Sequence, residues 1–406
     1  MKFSPFLLVL LRSSRALGSE LQKHLEADAP PYRDDLVSLH KSLVDIASIS
    51  GEENEVGNFL VDYLTARNFV VQLEFVPPLA GEPNGTSKPR FNVLAWPGPD
   101  RHPSPKVLVT SHIDVVPPYI PYSRSGAPDD PLTRDTVFAG RGSVDAKASV
   151  AAQITALRAL VDGGAVAPSD AMLLYVVGEE RSGDGMRYFS ETRGSLSPPP
   201  DFGAAIFGEP TEGQLACGHK GIFACDITAR GRAGHSGYPW LGRSAIEVLV
   251  RALVKVLDAD LGSSDDFGNT TVNVGVIEGG VALNVIPERA VARIAARVAI
   301  GPELGGGAIA ASRLQEILRG VDPDAFDADC NTGYGVVACD CEVEGFETTI
   351  VNYGTDVPNL KGNHTRYLYG PGSILVAHGA DEAITLGELE DAVEGYKKLI
   401  LHAIGS

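Results

Sequence analysis

The stretch Lys106-Val107-Leu108-Val109-Thr110-Ser111-His112-Ile113-Asp114 begins as an apolar, β-branched run and ends on an imidazole and a carboxylate. Its first half has the length and branching of a buried strand. The spacing predicts a helix over 146–161, ended by Gly163-Gly164, and further strands over 171–177 and 204–207. Strands alternating with helices predict an α/β fold with a mostly parallel sheet. Ligands of such sheets bind beyond the carboxyl ends of the strands. His112, Glu179, Glu180, Glu209 and His378 (after the apolar run 374–377) are all expected there.

Working outward, helices are expected over 36–49 and 56–67, extended runs over 70–75 and 92–95, and a Pro/Gly/Ser-rich surface loop over 79–90. A different rhythm fills 222–338: strand 222–230, helix 244–261, strands 271–277 and 290–300, helix 308–318 and strand 335–338. This is the βαββαβ order of a ferredoxin-like unit. It interrupts the first pattern, so the sheet domain is expected over 19–221 and 339–406, with an inserted domain at 222–338. A closing helix over 386–404 is announced by the capping box of Thr385 and Glu388.

The chain has 406 residues, 44% of them hydrophobic, which suits two domains with real cores. Its formal charge of −18 argues against a nucleic-acid partner, because phosphate binding needs a basic surface. Lys2, the apolar run 3–11 and Ala16-Leu17-Gly18 read as a signal peptide over 1–18, too short to span a bilayer. Sequons at Asn84, Asn269 and Asn363 agree with a secreted glycoprotein. Of the five cysteines, Cys217 and Cys225 flank a tight connection and form one candidate disulfide. Cys330 with Cys339 or Cys341 is the other, which leaves an odd thiol.

Two histidines and several carboxylates at strand ends suit a site for two divalent metals with a spare carboxylate as base. In Ser111-His112-Ile113-Asp114 the His and Asp share one side of an extended segment. A metal-binding imidazole usually gives its other N–H to an acceptor, and Asp114 suits that task. Asp145 sits in Gly140-Arg141-Gly142-Ser143-Val144-Asp145-Ala146-Lys147, and a carboxylate there has two oxygens with which to bridge two cations. Adjacent Glu179 and Glu180 would repel if buried unpaired. A cation resolves that conflict if one ligates and the other acts as general base. Glu209 and His378 add further donors. Mixed His and carboxylate ligands suit zinc, with cobalt or manganese as substitutes. Two such metals lie ~3.5–4 Å apart and activate a water between them.

These elements resemble the M20 metallopeptidase family, which includes glutamate carboxypeptidase, aminoacylase, acetylornithine deacetylase and succinyl-diaminopimelate desuccinylase. The match adds Gly234-His235-Ser236, Asn284-Val285-Ile286-Pro287, Gly370-Pro371-Gly372 and His378-Gly379-Ala380-Asp381-Glu382, and extends over about 106–382. The resemblance implies a dizinc hydrolase. Asp145 would bridge, His112 and Glu209 would complete one metal's shell, and Glu180 and His378 the other's. Glu179 would be the general base, and Asp114 would orient His112. The inserted domain would be a lid and dimerisation domain, whose His235 stabilises the oxyanion. Asn284, Arg297, Gly370 and Gly372 fall where relatives bind substrate. Relatives often carry Asp before the Glu pair; here Gly178 stands there.

Two enzyme readings follow. One is a secreted carboxypeptidase releasing a C-terminal residue; the other is an N-acyl-amino-acid deacylase of the acetylornithine deacetylase or aminoacylase type. Both cleave an amide beside a free carboxylate, and secretion favours the first. A non-catalytic binding protein on the same fold is the third reading, and Glu179 speaks against it. A homodimer through the inserted domain is expected by the same resemblance.

Overall fold

The computed structural model describes residues 29–78, 88–99 and 103–405. The expected signal segment 1–18 and the sequon at Asn84 lie outside them. The chain divides into two compact units. Among the described residues, one comprises those up to Leu215, Glu342–Glu347 and those from Asn359 on; the other comprises Ala216–Cys341 and Thr348–Pro358.

The first unit begins with helices α1 (Arg33–Asp45) and α2 (Asn54–Thr65). Strands β1 (Phe69–Val76), β2 (Arg90–Pro97) and β3 (Val107–His112) follow, then helix α3 (Lys147–Asp162), strand β4 (Ala171–Val176), helix α4 (Asp184–Thr192) and strand β5 (Ala204–Gly208). The second unit contains β6 (Gly221–Arg230), β7 (Gly234–His235), α5 (Ala245–Leu257), β8 (Thr271–Gly279), β9 (Val285–Ile286), β10 (Arg289–Val298), α6 (Gly306–Val321) and β11 (Phe326–Cys330). The chain returns to the first unit with β12 (Thr365–Tyr369) and α7 (Leu386–Gly405).

In the first unit the strands run in the order β1-β2-β4-β3-β5-β12. β4, β3, β5 and β12 are mutually parallel, and β1 and β2 add an antiparallel edge. Every residue of β3, β4 and β5 is buried. Each large aliphatic side chain there contributes about 1.5–3 kcal/mol by leaving water. That holds the apolar runs inside and delivers the polar residues that follow to one edge of the sheet. Helix α3 is rich in Ala, and these small side chains let it lie buried over the sheet. Gln153 on α3 donates to the Thr110 carbonyl at 2.9 Å, and Ser111 donates to the Gly208 carbonyl at 2.9 Å, so the ends of β3 and β5 are tied together. The capping box of α7 forms as expected: Thr385 N–H donates to Glu388 at 2.8 Å, and Glu388 N–H donates to Thr385 Oγ1 at 3.2 Å.

The second unit is an antiparallel sheet in the order β8-β10-β6-β11, with α5 and α6 contributing to its apolar core. This is the ferredoxin-like arrangement. Its last strand is Phe326–Cys330, not the expected 335–338. Aspartates 327 and 329 alternate with Phe326, Ala328 and Cys330, and only the latter three pack on the core. That half-polar alternation is the mark of a one-sided strand; the more apolar 337–338 pairs instead with His219 and Gly218. The disulfides also differ from expectation: they join Cys217 to Cys341 and Cys225 to Cys330, and Cys339 belongs to neither. Cys225 and Cys330 face each other in the β6–β11 ladder, a long-range pairing that local spacing does not reveal.

Candidate metal centre

Six side chains converge at the carboxyl edge of the parallel strands. His112 closes β3, the Glu179–Glu180 turn follows β4, and Glu209 follows β5. Asp145 lies in the connection that enters α3. His378 is not at a strand end as expected, because 374–377 forms turns. Gly379 N–H donates to the Val376 carbonyl at 3.2 Å, and Leu375 is 85% exposed, so this short apolar run never enters the sheet.

Asp145 stands at the middle. Its Oδ1 is 3.0 Å from His112 Nε2, and its Oδ2 is 3.3 Å from His378 Nε2. His378 Nε2 also lies 3.0 Å from Glu180 Oε2, and His112 Nε2 lies 3.8 Å from Glu209 Oε2. Donor atoms of His112, Asp145 and Glu180 fall within 4.8 Å of one another, as do those of His112, Glu179 and Glu209.

Asp114 has two tasks. Its backbone carbonyl accepts His112 Nδ1–H at 3.0 Å, closer than its carboxylate at 3.6 Å. Nε2 is therefore the ring nitrogen left for a cation. The carboxylate accepts the backbone N–H groups of Glu179 (3.1 Å) and Glu180 (3.2 Å) and the hydroxyl of Ser50 (2.6 Å), so it also fixes the turn that presents both glutamates. Behind that turn, Arg90 pairs with buried Glu53 at 2.9 Å and with Asp184 at 2.7 Å. Ser50, Glu53 and Arg90 had no place in the sequence reading.

The electrostatics fit a cation site. Burial disfavours a charged His112, yet hydrogen bonds to Asp114, Asp145 and Glu209 outweigh burial and hold its pKa well above the ordinary value. His378 is pushed up to about 10 by Asp145 and Glu180. Burial raises the pKa of Glu180, and the Asp145 charge raises it further. Asp145 itself is held below the usual carboxylate range, because its bonds to the two imidazoles outweigh burial. The carboxylates therefore draw protons onto both rings. Cations would supply that positive charge while releasing the protons. His112, Asp145, Glu180, Glu209 and His378 have the hard, mixed N/O character of a divalent-metal site.

The remaining expected residues divide between the two units. His235 lies on β7, opposite Val285 of β9, and Asn284 accepts Ser236 N–H at 3.0 Å through its carbonyl. Arg297 is exposed on β10. These three belong to the second unit. Gly370 and Gly372 belong to the first, where both have a packing role. A side chain at Gly370 would collide with the Glu209 carbonyl, and one at Gly372 (φ 75°) would press on Val144.

A family model described as a peptidase dimerisation domain matches residues 217–305. A peptidase M20 domain-containing protein of Sordaria macrospora is 55% identical over 93% of this chain and 87% of its own length. A probable carboxypeptidase of Aspergillus flavus is 48% identical over 97% and 92%. Among solved structures, a tripeptidase of Staphylococcus aureus superposes with a TM-score of 0.73 at 18% identity, covering 92% of this chain and 99% of that one, a likeness of fold.

Proposed function

This chain belongs to the peptidase M20 family and is a hydrolase of peptide bonds, and on that premise we propose that it is a secreted, zinc-dependent carboxypeptidase. The observation that carries the metal reading is the division of Asp145 between two imidazoles, one on each carboxylate oxygen. His112 and Glu209 would hold one cation and Glu180 and His378 the other, with Asp145 shared between them. Bound there, the two cations supply Lewis acidity and lower the pKa of the attacking water.

Glu179 stands beside the ligand set on a turn held by Asp114. It takes a proton from the attacking water and passes it to the leaving amine, as a general base and then acid. His235 is the proposed oxyanion donor. Its Nδ1 accepts Gly237 N–H at 3.0 Å, which selects the tautomer with the proton on Nε2. Asn284 and Arg297, with the backbone around Gly370 and Gly372, are assigned to the substrate and its terminal carboxylate.

The name of the Aspergillus flavus relative supports carboxypeptidase over deacylase. Two disulfides and exposed Asn269 and Asn363 support an oxidising, extracellular setting and glycosylation. A homodimer is supported by the matched dimerisation domain. On α5, Val250, Val254 and Leu257 are about half exposed at helical spacing, and β8 is an edge of its sheet. Among the described residues no helix is long and apolar enough to cross a membrane.

The test is a panel of N-blocked dipeptides with free or amidated C-termini, alongside N-acetyl amino acids, given to zinc-loaded protein. Release of the C-terminal residue from free-acid dipeptides alone is expected. Hydrolysis confined to N-acetyl amino acids would replace this reading with the deacylase.

A further inference from the structure

We propose that Glu382 and Arg141 form a positioning pair that fixes the bridging carboxylate and the exposed imidazole relative to each other; this rests on the dinuclear reading above. His378 is the donor least supported by regular structure. It stands in a turn, its φ is 63°, and its side chain is half exposed. Asp145 also lies in a connection, outside any helix or strand. Neither geometry is imposed by the sheet, so something else must impose it.

One buried ion pair joins the two connections. Glu382 Oε1 accepts the N–H groups of Gly142 (2.9 Å), Val144 (3.0 Å) and Asp145 (3.2 Å). Its Oε2 takes Arg141 Nη1 at 2.6 Å. The guanidinium then reaches the other segment, donating from Nη2 to the His378 carbonyl at 3.2 Å and from Nη1 to the Gly379 carbonyl at 3.1 Å. The backbone of Glu382 completes the join, accepting Gly140 N–H at 3.1 Å and the Ser143 hydroxyl at 3.1 Å. Both side chains of the pair are almost wholly buried, at 2% and 1% exposure.

A buried charge pair is a poor source of stability in itself, because desolvation offsets most of its attraction. Its value here lies in where its bonds go. They end on the peptide groups of Asp145 and His378 and of the residues next to them. Outer partners of this kind orient metal ligands, and their loss typically costs ~10–100-fold in metal affinity. Removing Arg141 frees the His378 segment but leaves the Glu382 bonds to Gly142, Val144 and Asp145. The cation held by Glu180 and His378 should therefore weaken, while the one held by buried His112 and Glu209 stays.

The experiment titrates metal-stripped wild type, Arg141→Ala, Arg141→Lys and Glu382→Gln with cobalt(II). Absorbance and EPR follow the binding, and melting of the metal-free proteins is measured in parallel. Two equivalents are expected in the wild type. In Arg141→Ala the second dissociation constant should rise ~10–100-fold with an altered cobalt spectrum, and the metal-free protein should melt lower because Glu382 is left buried without its partner; Arg141→Lys, which keeps the charge but not the fork of donors, should restore much of the melting temperature and only part of the affinity. Wild-type affinity for both cations in Arg141→Ala would overturn the proposal. So would an Arg141→Lys that binds both cations as the wild type does, or a loss of affinity that falls equally on both cations, since the pair would then serve the fold alone. A wild type that binds fewer than two cations would instead overturn the dinuclear reading, a separate failure.

Discussion

Asp145 Oδ2 and His378 Nε2 lie 3.3 Å apart, although one residue enters a buried helix and the other sits in an exposed turn near the end of the chain. The opposite oxygen of the same carboxylate meets His112 at 3.0 Å. Asp145→Ala should therefore disturb both metal positions together. Metal analysis should find fewer than two cations per chain, and turnover should fall about a thousandfold, equivalent to ~4 kcal/mol of barrier. Full retention of both metals would deny Asp145 its bridging role.

The roles proposed for Glu179 and its neighbour differ. Glu179→Ala should keep both cations, since His112, Asp145, Glu180, Glu209 and His378 are untouched, and should lower kcat by ~10²–10⁴-fold. Glu180→Ala should lose metal as well as rate. If Glu179→Ala instead releases a cation, Glu179 is a ligand and not the base.

The acidic cluster would make binding of the proposed zinc compete with protons. Metal-free His378, pushed up to about 10 from 6.5, is protonated at neutral pH. Its contribution to stability is fully present below 6.5 and is lost as pH rises through about 10. Zinc requires the unprotonated ring, so zinc affinity should climb with pH between those values, by up to ~10-fold per unit for each proton displaced. Calorimetry in buffers of different ionisation enthalpy should detect proton release. A pH-independent affinity without proton release would contradict this charge balance.

Gly178 tests the packing behind the base. Its φ is 75°, and an added Cβ would run into the Asp184 carboxylate and the Arg90 guanidinium. The Asp expected there from related sequences has no room, because Asp184 at the start of α4 already occupies the space. Gly178→Ala should lower stability by ~1–3 kcal/mol through backbone strain alone, read from urea midpoints. Gly178→Asp should cost more and also lower kcat by shifting Glu179. An unchanged midpoint for Gly178→Ala would show that the turn relaxes freely.

The parts of this fold readable from sequence are those set by local pattern. The runs before His112, Glu179 and Glu209 are continuous and apolar because their strands are buried on both faces. Their ends, and the acids placed there, follow directly. The strand Phe326–Cys330 was obscured by Asp327 and Asp329, whose side chains face away from the core. The run before His378 looked like a strand but forms a partly exposed turn. The disulfides and the Arg141–Glu382 and Arg90–Glu53 pairs were hidden for another reason: each joins distant segments, Arg141 and Glu382 being 241 residues apart, and no local pattern records a partner so far away.

The central claim, a two-metal carboxypeptidase, is tested most directly by one titration. Chelator-stripped protein receives zinc in steps while release of the C-terminal residue from an N-blocked dipeptide is followed. Activity should be absent at the start and reach its plateau at two zinc per chain. Full activity in the stripped protein, or a plateau at a single equivalent, would contradict the account.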